Sequence, residues 1–197
     1  MGFLDSLIRK VTQDIGKQVE KDIQKAVTTR TESFTFAKLP ANVEELKALP
    51  EADLKSPFKT AALTILALNA FEADREACYR MIQFLMGPET MSPMDKQFIA
   101  DRFMDGKTYI PRSYMKGATP ANNYTPATPV EITVIEGAHS RDQEKEGYML
   151  LFIASGGADN PREIKLRTKP STGEWFVNQY GGLLSGIRIP AAEDKWA

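Results

Sequence analysis

Apolar residues open the chain in a helical rhythm. Phe3, Leu4, Leu7, Ile8, Val11, Ile15, Val19, Ile23 and Val27 fall mostly three or four positions apart, which predicts one long amphipathic helix over residues 3–28. From Val11 onward every step is four residues, about 40° beyond a full turn, so the stripe spirals and no strict heptad seam forms. The polar face mixes signs: Arg9, Lys10, Lys17, Lys21, Lys25 and Arg30 stand against Asp5, Asp14, Glu20 and Asp22, a net of +2. Gly16 weakens the middle by roughly 1 kcal/mol relative to alanine. Such a stripe needs cover, from its own domain, a second copy or a protein partner, or a membrane surface. The bulky start Met1-Gly2-Phe3-Leu4 suits interfacial insertion. The mixed-sign polar face suits protein contact better than anionic lipid. Gly2 and Ser6 also match the short N-myristoylation pattern.

A second unit begins near Thr31, which divides the chain into residues 1–31 and a single domain over 32–197. Thr31–Lys38 alternates, with Phe34 and Phe36 on one face, and predicts a short strand. Asn42 caps a short helix, and Glu45 completes an Asn-x-x-Glu arrangement resembling a capping box. Ser56-Pro57 starts the next helix, with serine as N-cap and an apolar face of Ala62, Leu63, Leu66, Ala67 and Phe71. After the charged break Glu72–Asp74, a helix bearing Tyr79, Met81, Ile82 and Leu85 closes at Gly87-Pro88. Ser92-Pro93 starts another, with Asp95 at the positive end of its dipole, Phe98, Ile99, Phe103 and Met104 inward, and a stop at Gly106.

Beyond residue 129 the period becomes that of strands. Val130–Ile135 alternates, Tyr148–Ala154 is apolar on both faces as a central strand would be, and Glu163–Lys169 turns Ile164 and Leu166 inward. Pro170-Ser171-Thr172-Gly173 reads as a hairpin turn into Glu174–Asn178, and a last short strand is expected at Ile187–Ile189. Helices first and strands afterwards predict an α+β fold, a helical N-terminal half packed against a C-terminal antiparallel β-meander.

Between the halves runs Tyr109–Pro129, with three tyrosines, four prolines, Asn122-Asn123 and no acidic residue. Connections longer than about 12–15 residues are uncommon in compact domains and are either functional or disordered. Its aromatics predict an ordered surface loop. Tyr109, Arg112, Tyr114, Lys116, Asn122, Asn123 and Tyr124 form the candidate binding set, because tyrosine and arginine concentrate binding energy at interfaces. The alternative is that the tyrosines pin the loop to the sheet. Arg167 joins the set as the centre of a cationic row, Lys165, Arg167 and Lys169, on one strand face.

The formal charge of −1 offers no electrostatic footprint for nucleic acid. The single Cys78 rules out an internal disulfide and any multi-cysteine zinc site, and its helical neighbours read as a small buried hydrophobe. No apolar stretch has the form of a secretory signal or the length of a membrane span, so the default location is the cytoplasm. His139 sits in a charged hairpin tip, Asp101 and Asp105 stand four apart on one helical face, and Gly156-Gly157 lacks the rest of a phosphate loop and reads as a turn with positive φ. None of these calls for a metal, a cofactor or a catalytic residue.

Three stretches carry a resemblance: Tyr109-Ile-Pro-Arg-Ser-Tyr-Met-Lys-Gly-Ala-Thr-Pro-Ala-Asn-Asn-Tyr-Thr-Pro, Ser155-Gly-Gly-Ala-Asp through Lys165-Leu-Arg-Thr-Lys-Pro-Ser-Thr-Gly-Glu-Trp175, and Leu183-Leu-Ser-Gly-Ile-Arg-Ile-Pro190. Over roughly residues 32–190 the chain resembles a bacterial family known only as a domain of unknown function. The resemblance implies a bacterial, cytoplasmic protein and brings no activity with it. The residues themselves favour a non-enzymatic binding or protein-interaction module, with residues 3–28 serving self-association or docking. An unrecognised hydrolase-like enzyme with a pocket between the 109–129 loop and the sheet is one alternative. Peripheral membrane attachment through the N-terminal helix is the other.

Overall fold

The computed structural model describes residues 30–196; the helix expected over residues 3–28 lies outside the described residues. The fold is α+β. Strand β1 (Thr31–Phe36) is followed by helices α1 (Val43–Lys47), α2 (Pro57–Asn69), α3 (Arg75–Met86) and α4 (Pro93–Arg102). Strands β2 (Val130–Glu136), β3 (Tyr148–Ile153), β4 (Arg162–Lys169) and β5 (Glu174–Gln179) come after them. All five strands form one antiparallel sheet in the order β1-β2-β3-β4-β5. β1 thus joins the meander at its edge across the whole helical segment, with Phe34 opposite Ile132.

Helix α2 organises the core. Phe58 and every residue from Thr60 to Leu68 are buried, so the helix is enclosed all round, as a sequence this apolar requires. It touches each of the five strands on one side and α3 on another. Its two buried threonines are satisfied locally. Thr60 Oγ1 donates to the carbonyls of Ser56 (3.2 Å) and Trp175 (3.0 Å), and Thr64 Oγ1 to that of Thr60 (2.8 Å). On the sheet, Ile132, Val134, Met149, Leu151, Ile153, Ile164, Leu166 and Val177 alternate inward onto this helix. The strand expected over Tyr148–Ala154 is central, but only one of its faces is fully buried.

Local signals read from the sequence held where their geometry is local. Asp74 Oδ1 accepts from the Ala77 amide at 3.0 Å and starts α3. Ser92 and Asp95 form a reciprocal capping box at α4, which supplies the stabilisation of an N-cap, about 1 kcal/mol. Others were displaced. The Glu45 carboxylate reaches the Ala41 amide, one residue short of the Asn42 cap, so the capping box is incomplete. Ser56 makes no side-chain cap. Helix α4 ends at Arg102, and Asp105 lies beyond it with φ 57°, so Asp101 and Asp105 share no helical face. Met104 follows it out and is exposed. Residues 187–190 form no strand; the Arg188 amide instead donates to the Gly157 carbonyl at 2.9 Å.

Candidate functional site

The long loop is ordered as three short 3-10 turns, Lys107–Tyr109, Pro111–Tyr114 and Pro120–Asn122. Between them the chain wedges into the gap where β2 and the continuation of β3 diverge. The Lys116 amide donates to the Glu131 carbonyl (2.8 Å) on one side, and the Gly156 amide to the Ser113 carbonyl (2.8 Å) on the other. Backbone pairing of this kind explains why a loop with so little regular structure is fixed.

The tyrosines close the wedge from within. Tyr109, Tyr114 and Tyr124 are 4%, 2% and 0% exposed. Tyr114 Oη donates to the Leu183 carbonyl at 2.6 Å, and Tyr124 Oη to the Arg188 carbonyl at 2.5 Å. Tyr109 and Tyr124 stack with centroids 5.1 Å apart and planes 6° off parallel. Burial pushes the Tyr124 hydroxyl up to about 12, and raises those of Tyr114 and Tyr109. The contact surface expected of these three residues is therefore not formed by their rings, because the apolar area of an aromatic gains more from burial than from solvent.

The glycine pair belongs to the same clasp. Neither Gly156 nor Gly157 has positive φ, so the turn expected of them is not the reason for glycine. A Cβ on Gly156 would stand 2.0 Å from the Ala118 carbonyl oxygen, and one on Gly157 2.3 Å from Tyr124 Oη. The three stretches that carried the family resemblance thus converge on one another: 109–126 on 155–157 through these glycines, and on 183–190 through the two tyrosine hydroxyls.

Of the polar members of the candidate set, Arg112, Lys116 and Asn122 have side-chain partners. Arg112 binds Glu72, which Thr108 also reaches at 2.9 Å. Burial raises the Glu72 carboxyl, but these two hydrogen bonds outweigh it and hold it below the usual range. Lys116 Nζ lies 2.9 Å from the Glu131 carboxylate. Asn122 laces the loop to itself, accepting from the Thr119 amide (2.9 Å) and donating to the carbonyls of Gly117 (2.8 Å) and Thr125 (3.0 Å). Asn123 is exposed, with φ 53°. Arg167 is remote from the loop: with Lys165 it flanks the Tyr148 ring on the outer sheet face, 5.5 and 4.6 Å from its centroid.

A depression of about 380 Å³ does lie between loop and sheet, lined by Ser113, Lys116, Thr119, Glu131, Thr133 and Ser155 among others. Its chemistry is self-contained. Ser155 Oγ donates to Ser113 Oγ (2.9 Å), which donates to the Ile110 carbonyl (2.7 Å), and the two ionisable side chains face each other. Among the described residues no base addresses either serine. His139 is on the 137–147 turn, exposed, 2.9 Å from Asp142. Cys78 is buried in α3, its thiol pushed up to about 12 by burial and then by Asp74, which keeps it protonated and unreactive. Among the described residues no group of His, Cys, Asp and Glu is arranged to hold a metal ion, and no helix is long and apolar enough to cross a membrane.

A larger concavity lies elsewhere, a groove of about 630 Å³ between α1, α3 and β5. Its floor is apolar: Val43, Leu54, Tyr79 and Met91 are buried there, and Phe84 and Phe176 half-buried. Its rim carries both signs, Lys47, Arg80 and Lys96 with Glu76 and Glu174. Two of the cations lie over rings of the groove, Lys47 Nζ 5.1 Å from Phe84 and Lys96 Nζ 5.1 Å from Tyr79. Gly87 makes the wall possible. At φ 66° it ends α3, and a Cβ there would stand 2.3 Å from the Phe176 ring. In the sequence Tyr79 reads as part of a helix's apolar face and Gly87 as that helix's stop. The groove arises when α1 and β5, more than a hundred residues apart, come to flank α3.

A family model described as a domain of unknown function (DUF6935) matches residues 38–191, most of the chain. No curated protein and no solved structure matches it.

Proposed function

The chain belongs to the DUF6935 family, a domain of unknown function, and from that premise we propose a role in protein interaction without catalysis. Residues 32–197 form the domain, and its groove between α1, α3 and β5 receives an amphipathic helix. Residues 3–28 supply such a helix, for docking or self-association. We take the protein to be bacterial and cytoplasmic, in keeping with the family resemblance.

One observation carries this reading. The groove combines an apolar floor with a rim of both signs, which is how amphipathic helices are held: anchors at helical spacing enter the floor and the flanking charges meet the rim. The stripe of residues 3–28 has both properties, apolar anchors bordered by lysines and acids. Against an enzyme stands the depression beside the loop, whose serines and ionisable pair are tied to one another.

Hydrogen exchange on the full chain tests the reading. With Ile15→Ser, Val19→Ser and Ile23→Ser combined, backbone amides of residues 43–47 and 76–87 should exchange faster than in the unaltered chain, by about tenfold or more if the stripe covers them. Unchanged exchange along both helices would refute groove docking.

A further inference from the structure

We infer that the groove is occupied in cis, by residues 15–27 of the same chain, so that the free protein masks its own binding site. This rests on the groove reading above and names its occupant. The argument is one of tether, length and charge.

The tether is short. Only Thr28 and Thr29 separate Val27, the last residue of the stripe, from Arg30. The Arg30 guanidinium lies 5.3 Å from the centre of the Phe58 ring, in the first turn of α2. Phe58 follows Leu54 by four residues, and Leu54 is part of the groove floor. The Leu54 carbonyl in turn accepts from the Trp175 amide at 2.7 Å, which brings the start of β5, with Glu174 on the rim, to the same end. Three residues span about 10 Å, so Val27 lies no farther than that from Arg30.

The lengths agree. The groove follows α3 from Glu76 to Gly87, about 16 Å at a helical rise of 1.5 Å per residue. Ile15, Val19, Ile23 and Val27 extend over about 18 Å by the same measure. These are the last four of the five residues, Val11 to Val27, with unbroken four-residue spacing. The charges agree as well: Lys17, Lys21 and Lys25 can face Glu76 and Glu174, and Asp14, Glu20 and Asp22 can face Lys47, Arg80 and Lys96.

The tether also decides between the same chain and a second copy. A linker this short holds its helix at an effective concentration on the order of millimolar, about a thousandfold above a second copy at micromolar protein. An external helix must therefore displace residues 15–27 before it can bind, and the segment acts as an intramolecular competitor.

Cysteine cross-linking of the full chain tests this at low micromolar concentration. Val19→Cys is paired with Arg80→Cys on the groove rim, or with Thr35→Cys on the exposed edge strand β1 as a control. Cys78, buried and protonated, stays in place. The expected result on a non-reducing gel is a monomer with an internal disulfide, formed about tenfold faster for the Arg80→Cys pair than for the control. A cross-linked dimer at Arg80→Cys would overturn occupancy in cis while leaving the groove as a site for a second copy. Equal linking to both positions, or none, would also overturn it. The exchange experiment then separates the two failures: persistent sensitivity of residues 76–87 to the serine variants keeps the groove reading, and insensitivity removes it too.

Discussion

Replacing Tyr124 by phenylalanine removes one oxygen from the interior and should cost about 1–2 kcal/mol. The hydroxyl donates to the Arg188 carbonyl at 2.5 Å, and the side chain is fully buried. Without it the part-buried carbonyl loses its partner, and an unmet buried polar group costs about 1–3 kcal/mol. Replacement by alanine removes the ring as well. Large-to-small changes of this kind cost about 3–5 kcal/mol. The stack with Tyr109, centroids 5.1 Å apart, adds a coupling of about 0.5–1.5 kcal/mol. Urea unfolding followed by tryptophan fluorescence measures both. With an m-value of about 2 kcal/mol/M, the phenylalanine variant should unfold about 0.5–1 M earlier. A double-mutant cycle of Tyr109→Ala and Tyr124→Ala isolates the stack. If Tyr124→Phe leaves the midpoint in place and Tyr124→Ala costs less than about 1 kcal/mol, the loop is not a clasp and the burial argument fails.

Two further outcomes follow from the same geometry. Gly156→Ala places a Cβ against backbone, 2.0 Å from the Ala118 oxygen, and should cost about 1–3 kcal/mol or more in thermal unfolding, whereas Gly173→Ala, with open space around it and φ 68°, should cost only about 1–2 kcal/mol for its backbone; equal effects would show that the loop yields. Alkaline pH should destabilise the protein through Cys78, whose thiol is raised to about 12 in the fold. Because the folded state holds this proton more tightly than the unfolded chain, its stabilising effect is complete below about pH 8.5 and declines as pH rises toward 12, by about 2 kcal/mol at pH 10. Cys78→Ala lowers stability overall but should flatten the loss between pH 8.5 and 10; an unchanged slope would assign the loss to other groups.

The candidate site was less legible than the fold. The tyrosines and the glycine pair stood out in the sequence, and the fold packs the three rings inside and sets both glycines against the loop. Composition identifies a residue type that gains from burial and hydrogen bonding, but an aromatic with a polar tip serves an interface and an interior equally well. Which it serves depends on whether a carbonyl such as that of Leu183 or Arg188 lies in reach. The groove had no signal of its own, since Tyr79 and Phe84 belong to a helix that looks half-exposed and their neighbours across the groove are distant in sequence.

What the sequence determined by itself is most of the elements: the helix starts at Asn42, Ser56-Pro57 and Ser92, the alternating strands from Val130 onward, and the hairpin at Pro170–Gly173. These rest on hydrogen bonds and side-chain periods spanning a few residues, so nearby residues decide them. Tertiary structure decided that β1 closes the edge of a sheet begun a hundred residues later, that Ile187–Ile189 lies across Gly157 instead of forming a strand, and that Met104 faces solvent. It also decided the wedge and the groove. Each of these depends on which surfaces remain uncovered once α2 has been enclosed, and that is a property of the assembled core.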